Sequence, residues 1–191
     1  TNDYFGFGYK DLNIENVKNQ LFIKKLDKDL SRNLISNLNE FLSHKSIDSI
    51  ERISISIGPA NFNASRQIVV CARTISQQIN CSLDKYSSFY LMAKRIALKN
   101  QKIINNKTFW IYKKLKSRGI IAGKYNAKTK KNSYEKWDIE EIISPLLYKD
   151  FLNNERQFEA EYKIKDELKQ LLELSLDNYK NLISNHWKNV L

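Results

Sequence analysis

The chain has 191 residues, with 32 Lys and Arg against 21 Asp and Glu and a formal net charge of +11. That length allows one domain or two small lobes. The charge points to nucleic acid or an acidic protein surface, although 25 Lys, 22 Ile and 21 Asn, which together make 68 of the residues, are the mark of a genome biased toward A and T. Five glycines, two histidines and two cysteines exclude a phosphate-cradling loop and a local zinc site: neither GxxxxGKS/T nor GxGxxG occurs, and Cys71 and Cys81 fit no CxxC spacing.

Both cysteines read as buried small hydrophobes of a reduced compartment. No apolar run reaches the length of a membrane span and no signal-peptide pattern is present, so the sequence predicts a soluble cytoplasmic protein without membrane association. His44 and His186 are too far apart to act as a local ligand pair, and neither metal ligands nor a cofactor are expected.

Aromatics alternating with small residues over 1–9 predict a strand, and a second over 16–26 completes a hairpin. From residue 29 the period changes. Leu30, Leu34, Leu38, Phe41 and Leu42 recur at helical spacing, and with Ile35 the stripe spans about 140°, wider than one packing partner requires. The run RISISI over 52–57 is a strand stopped by Gly58 and Pro59, and Asn63 is expected to cap a helix over 64–79. On that helix Ala64, Ile68, Cys71, Ala72, Ile75 and Ile79 share one side, while Arg66, Val70, Arg73 and Gln77 share the other. The second side reads either as a partner-facing surface or as a solvated face with one exposed valine.

An extended segment over 81–85 precedes a helix beginning at 87 or 88 and ending at 100, and the polar stretch over 100–107 marks a lobe boundary. Beyond it, 109–116 and 120–125 read as a hairpin, 137–147 as a helix broken or bent by Pro145, 158–164 as a strand and 166–183 as a helix with an apolar face. Mixed strands and helices in this order predict an α/β fold in two lobes, residues 1–100 and 101–191, with the last helix packing back toward the first lobe.

The segment over 53–79, ISISIGPANFNASRQIVVCARTISQQI, resembles the signature of bacterial TsaB proteins, a strand, GPG-x-FTG-x-R-x-G and a TARTLAQQL-like helix. The signature loop here is Gly58, Pro59, Ala60, Asn61 and Phe62, with Arg66 following. Two family glycines are replaced, by Ala60 and Ala64. Residues 29–34 (DLSRNL) are similar to the family's first helix start, and Lys116-Ser117-Arg118-Gly119 to its ARRG-type turn. The end of the chain, HWKNVL, resembles the lead-in to its closing motif, and the family's phosphate aspartate is expected upstream of Thr1.

The resemblance implies an actin, Hsp70 and sugar-kinase type of fold. It also implies a non-catalytic scaffold in the complex that makes threonylcarbamoyladenosine in tRNA. The expected partners are a catalytic TsaD-like paralogue, the ATPase subunit TsaE through the complex, and tRNA as the complex's substrate; a homodimer is the alternative use of the same surface. That surface is formed by the first two long helices, and Leu34, Leu38, Arg66, Val70, Arg73 and Gln77 are its candidate residues. A loop at Ala60 with φ > 0 would have to differ from the family's.

A reading of a different class is direct RNA contact through the hairpin over 109–125, where Lys113, Lys114, Lys116, Arg118 and Lys124 interleave with Trp110, Tyr112 and Tyr125. Strand aromatics at alternating positions are equally the pattern of core packing. A degenerate ATPase or peptidase is the third reading, with Asp3 and Asp11 as turn carboxylates, and no nucleophile with a neighbouring base or metal is legible.

Overall fold

A computed structural model describes residues 4–12, 19–25, 30–43, 45–100, 107–129, 137–150 and 154–189. Asp3 and His44 lie outside them. The chain groups into two units, Thr1–Tyr86 with Lys163–Leu191, and Ser87–Tyr162. The polar stretch taken as a lobe boundary therefore falls inside the second unit. The helix before it packs on the strands after it, and the last helix belongs to the first unit.

In the first unit, β1 (Tyr4–Tyr9) and β2 (Gln20–Lys25) form an antiparallel hairpin. Alternation assigns its two faces. Phe5 joins Leu30 and Leu34 of α1 (Leu30–Phe41) in one core cluster, against which Phe7 and Phe22 pack. Gly6 and Gly8 lie on the other face, beneath α4 (Ile164–Lys180). A Cβ on Gly6 would fall 2.7 Å from Leu168 Cδ1, so the close approach of this helix depends on glycine.

The strand β3 (Arg52–Ser56) pairs in parallel with β4 (Ser82–Tyr86), and α2 (Phe62–Ile79) connects them. Ile55, Ala72 and Leu83 make its core, with Ile68 and Val69 packed against them. Ala64 and Cys71 of α2 turn instead toward the cluster under α1. Both cysteines are free and half-buried, and burial pushes each thiol up.

In the second unit a four-stranded sheet has the order β7 (Trp137–Tyr148), β6 (Gly119–Thr129), β5 (Thr108–Leu115), β8 (Gln157–Glu159). The helix α3 (Ser88–Lys99) lies on it, capped by Ser87, whose Oγ accepts from Tyr90 N at 2.9 Å. Phe89, Met92, Ala93 and Ala97 meet Phe109, Ile111, Tyr125 and Ala127 in the core.

The expected helix over 137–147 is instead the strand β7. Ile139, Ile142, Ile143, Leu146 and Leu147 imitate a helical stripe, yet Ile142, Leu146 and Leu147 are exposed. The register against β6 shifts between Ala122 and Lys124 and again between Lys124 and Tyr125. These bulges break the strand's period of two. Pro145 sits where two residues oppose Gly123 on an edge strand, so its missing N–H does not interrupt a central ladder.

Burial, with Asp138 and Glu141 nearby, pushes the Tyr90 hydroxyl up to about 12. A phenol with a raised folded-state pKa contributes stability that is fully present below the unfolded value of about 10 and is lost as pH rises toward 12. Urea midpoints are therefore expected to fall between pH 9.5 and 11.5, and Tyr90→Phe should flatten this dependence.

Candidate functional site

The loop between β3 and α2 begins with Ile57, whose N–H donates to the Tyr86 carbonyl at 2.9 Å. Gly58 follows at φ +102, buried, in a cis peptide bond to Pro59. Asn61, not Asn63, caps α2: its side chain accepts from Ala64 N at 3.2 Å. The helix therefore starts at Phe62, whose ring is exposed.

Ala60 is not among the positive-φ residues. The left-handed requirement falls on Gly58 alone in this loop, and alanine at position 60 adds no such strain. Gly58→Ala is expected to destabilise the protein by about 1–3 kcal/mol, measured as a lower urea midpoint, whereas Ala60→Gly should change it little.

Along α2 the apolar side is spent on β3, β4 and the α1 cluster. The opposite side is turned outward. Val70 is 56% exposed, and Arg66 and Gln77 are exposed too. Arg73 is half-buried, its guanidinium 5.9 Å from the Trp187 ring centroid. On α1, Leu34 is buried in the hairpin core and Leu38 is half-buried, while Ile35 is 57% exposed. Leu34 therefore supports this face from beneath, and Ile35 is the apolar side chain that α1 presents.

Trp187 is placed by a buried polar cluster that sequence reasoning missed. Asp84, on β4, is 2% exposed. Arg52 Nη1 donates to both its carboxylate oxygens at 2.9 and 3.0 Å, Ser54 Oγ donates at 3.1 Å and Asn185 Nδ2 at 2.6 Å. Arg52 also donates to the Ile183 carbonyl, and Leu83 N to the Asn185 carbonyl at 3.0 Å. The segment after α4 is thus strapped along β4, and Trp187 packs against Ile55, Ala72 and Leu83. A carboxylate next to Leu83 in a short strand was the signal available, and its partners lie 32 and 101 positions away.

The hairpin residues fare differently. Tyr125 is fully buried and Trp110 nearly so, with Trp110 Nε1 donating to Glu155 at 2.9 Å. These rings fill the core and do not reach unpaired bases. Lys124 is held by Glu155 at 2.7 Å, and Lys113 lies over the Tyr162 ring at 4.3 Å. Lys114, Lys116 and Arg118 are exposed.

Two hydroxyls donate to Glu141, Ser144 Oγ at 2.6 Å and Ser87 Oγ at 3.2 Å, and the Ser87 oxygen also caps α3. Among the described residues no group of three or more His, Cys, Asp or Glu is placed to hold a metal ion, and no helix is long and apolar enough to cross a membrane. His186 is exposed, its Nδ1 accepting from Lys188 N at 3.2 Å.

No family model matches the chain, and no curated protein matches it in sequence. Solved structures do. YeaZ from Pseudomonas aeruginosa superposes with a TM-score of 0.69 at 8% identity, over 99% of this chain and 93% of that one. The chain has the YeaZ fold. A second structure, an uncharacterised protein with similarity to the peptidase YeaZ from Pseudomonas aeruginosa, gives 0.68 at 8% identity over the same shares. YeaZ belongs to the TsaB family, and its fold is the mixed α/β, actin-like one expected from the resemblance.

Proposed function

We propose that the protein is a TsaB-like, non-catalytic subunit of the complex that makes threonylcarbamoyladenosine in tRNA. It docks a TsaD-like paralogue through α2 and α1, with TsaE joining through the complex, and needs no cofactor of its own. The observation that carries this reading is Val70. It is exposed at the centre of a helix whose other side is already packed, in a chain that combines the YeaZ fold with a TsaB-like signature over 53–79. A valine there has no core to fill and gains by desolvation against a partner.

The peptidase named for one neighbour is a property of that protein. Here Ser87 is engaged as a helix cap, which supports a binding role over a hydrolytic one. The test is co-expression with the cognate TsaD-like protein, purification by a tag on one chain, and a tRNA modification assay with TsaE and threonylcarbamoyl-adenylate. The pair is expected to co-purify and to modify tRNA where either alone does not; modification by the paralogue and TsaE without this chain would overturn the reading.

A further inference from the structure

The helix α2 contains no Asp or Glu in its 18 residues, while Arg66 and Arg73 bracket Val70. The strap adds to the same side of the unit. Latched through Asn185 to Asp84, it brings the Trp187 ring beside Arg73, with Lys188 Nζ 5.5 Å from the ring centroid. Arg66, Arg73 and Lys188 thus border an exposed valine and a half-buried tryptophan, with no carboxylate from α2 among them.

We propose that α2 and the latched strap form one basic docking surface, and that it takes an acidic helix of a different chain rather than a second copy of this one. The proposal rests on the partner reading above and specifies the chemistry of that partner. A two-fold pairing of α2 with itself would set Arg66 and Arg73 against their own copies with no counter-charge on either helix, and like charges facing across an interface cost affinity. A carboxylate-bearing helix reverses that sign. Arg73 is positioned for it: its guanidinium lies within cation–π reach of the Trp187 ring, 5.9 Å from the centroid, and a guanidinium can present two parallel N–H donors to a carboxylate. Trp187 supplies the rigid aromatic wall that such contacts favour.

The experiment compares wild type, Val70→Asp, Arg73→Glu, Trp187→Ala and Trp187→Phe for affinity to the purified TsaD-like paralogue at low and high salt. Sedimentation of this chain alone accompanies it, and a thermal melt of each variant checks folding. The proposal expects a monomer alone, binding that weakens with salt, and losses of about tenfold or more for Arg73→Glu and Trp187→Ala, with Trp187→Phe close to wild type. If Val70→Asp abolishes binding while folded Arg73→Glu binds as wild type, the proposal fails and the partner reading stands. If none of the variants weakens binding, both fail. A dimer of this chain alone that Val70→Asp dissolves overturns the proposal in favour of self-association.

Discussion

Val70→Asp is expected to abolish co-elution with the TsaD-like paralogue while leaving the melting temperature within a degree or two of wild type. The two halves of this expectation have separate causes. In the isolated chain Val70 is 56% exposed, so an aspartate there stays hydrated. Its position also lies in the middle of an 18-residue helix, where Val and Asp have similar helix propensities. In a complex the same carboxylate would be desolvated where an apolar contact is needed and would draw Arg66 and Arg73, four and three residues away, from the partner's carboxylates; together these cost several kcal/mol, enough to remove micromolar binding. Ala72→Asp is the contrasting variant. Ala72 is buried between α2 and the β3–β4 pair, so a charge there should unfold the unit as well as end binding. Gel filtration with the paralogue and a melt of each variant read both outcomes.

Asp84→Ala is expected to lower stability by about 3–5 kcal/mol, because removing one partner of a buried ion pair leaves the other charge uncompensated. The Arg52 side chain that remains is only 9% exposed. The loss corresponds to a fall of about 10 °C in melting temperature for a chain of this size. A second consequence is local. Asn185 loses its acceptor on β4, so the strap should open and become sensitive to limited proteolysis beyond α4. Asp84→Asn keeps the shape and part of the hydrogen bonding but not the charge, and should fall between. Arg52→Met with Asp84→Leu, an apolar pair of similar volume, should recover much of the stability without the strap's anchorage. Stability and strap order would then separate, and partner affinity should follow strap order.

Much of the first unit was legible from local pattern. Phe5 and Phe7 alternating with Gly6 and Gly8 assigned the hairpin's strands, and Leu30, Leu34 and Leu38 assigned the helix beside it. Arg52 to Ser56 followed by Gly58 marked strand, turn and helix. The face holding Arg66, Val70 and Gln77 was legible too, because residues four and seven apart share a side of any helix. Cap choice was less so: Asn61 and Asn63 both precede an apolar run, and Asn61 wins by placing its side chain on Ala64 N.

What local pattern left open depended on residues far apart in the chain. β7 carries a helix-like spacing of isoleucines and leucines, and only its pairing with β6, with two register shifts, makes it a strand. Tyr125 and Trp110 fit base stacking or core packing equally well as an alternation, and burial beneath α3 and beside Glu155 decides for the core. Leu34 and Ile35 are neighbours on one wide stripe, and the hairpin takes the first while leaving the second exposed. The Asp84 latch joins β3, β4 and the strap, three segments whose periodicities say nothing of each other. The sequence by itself therefore determined the elements of the first unit and which residues share a side of each helix, since those follow from backbone geometry over a few residues. The tertiary structure decided strand pairing, which aromatics are buried and where the strap is held, because each depends on desolvation by a distant segment.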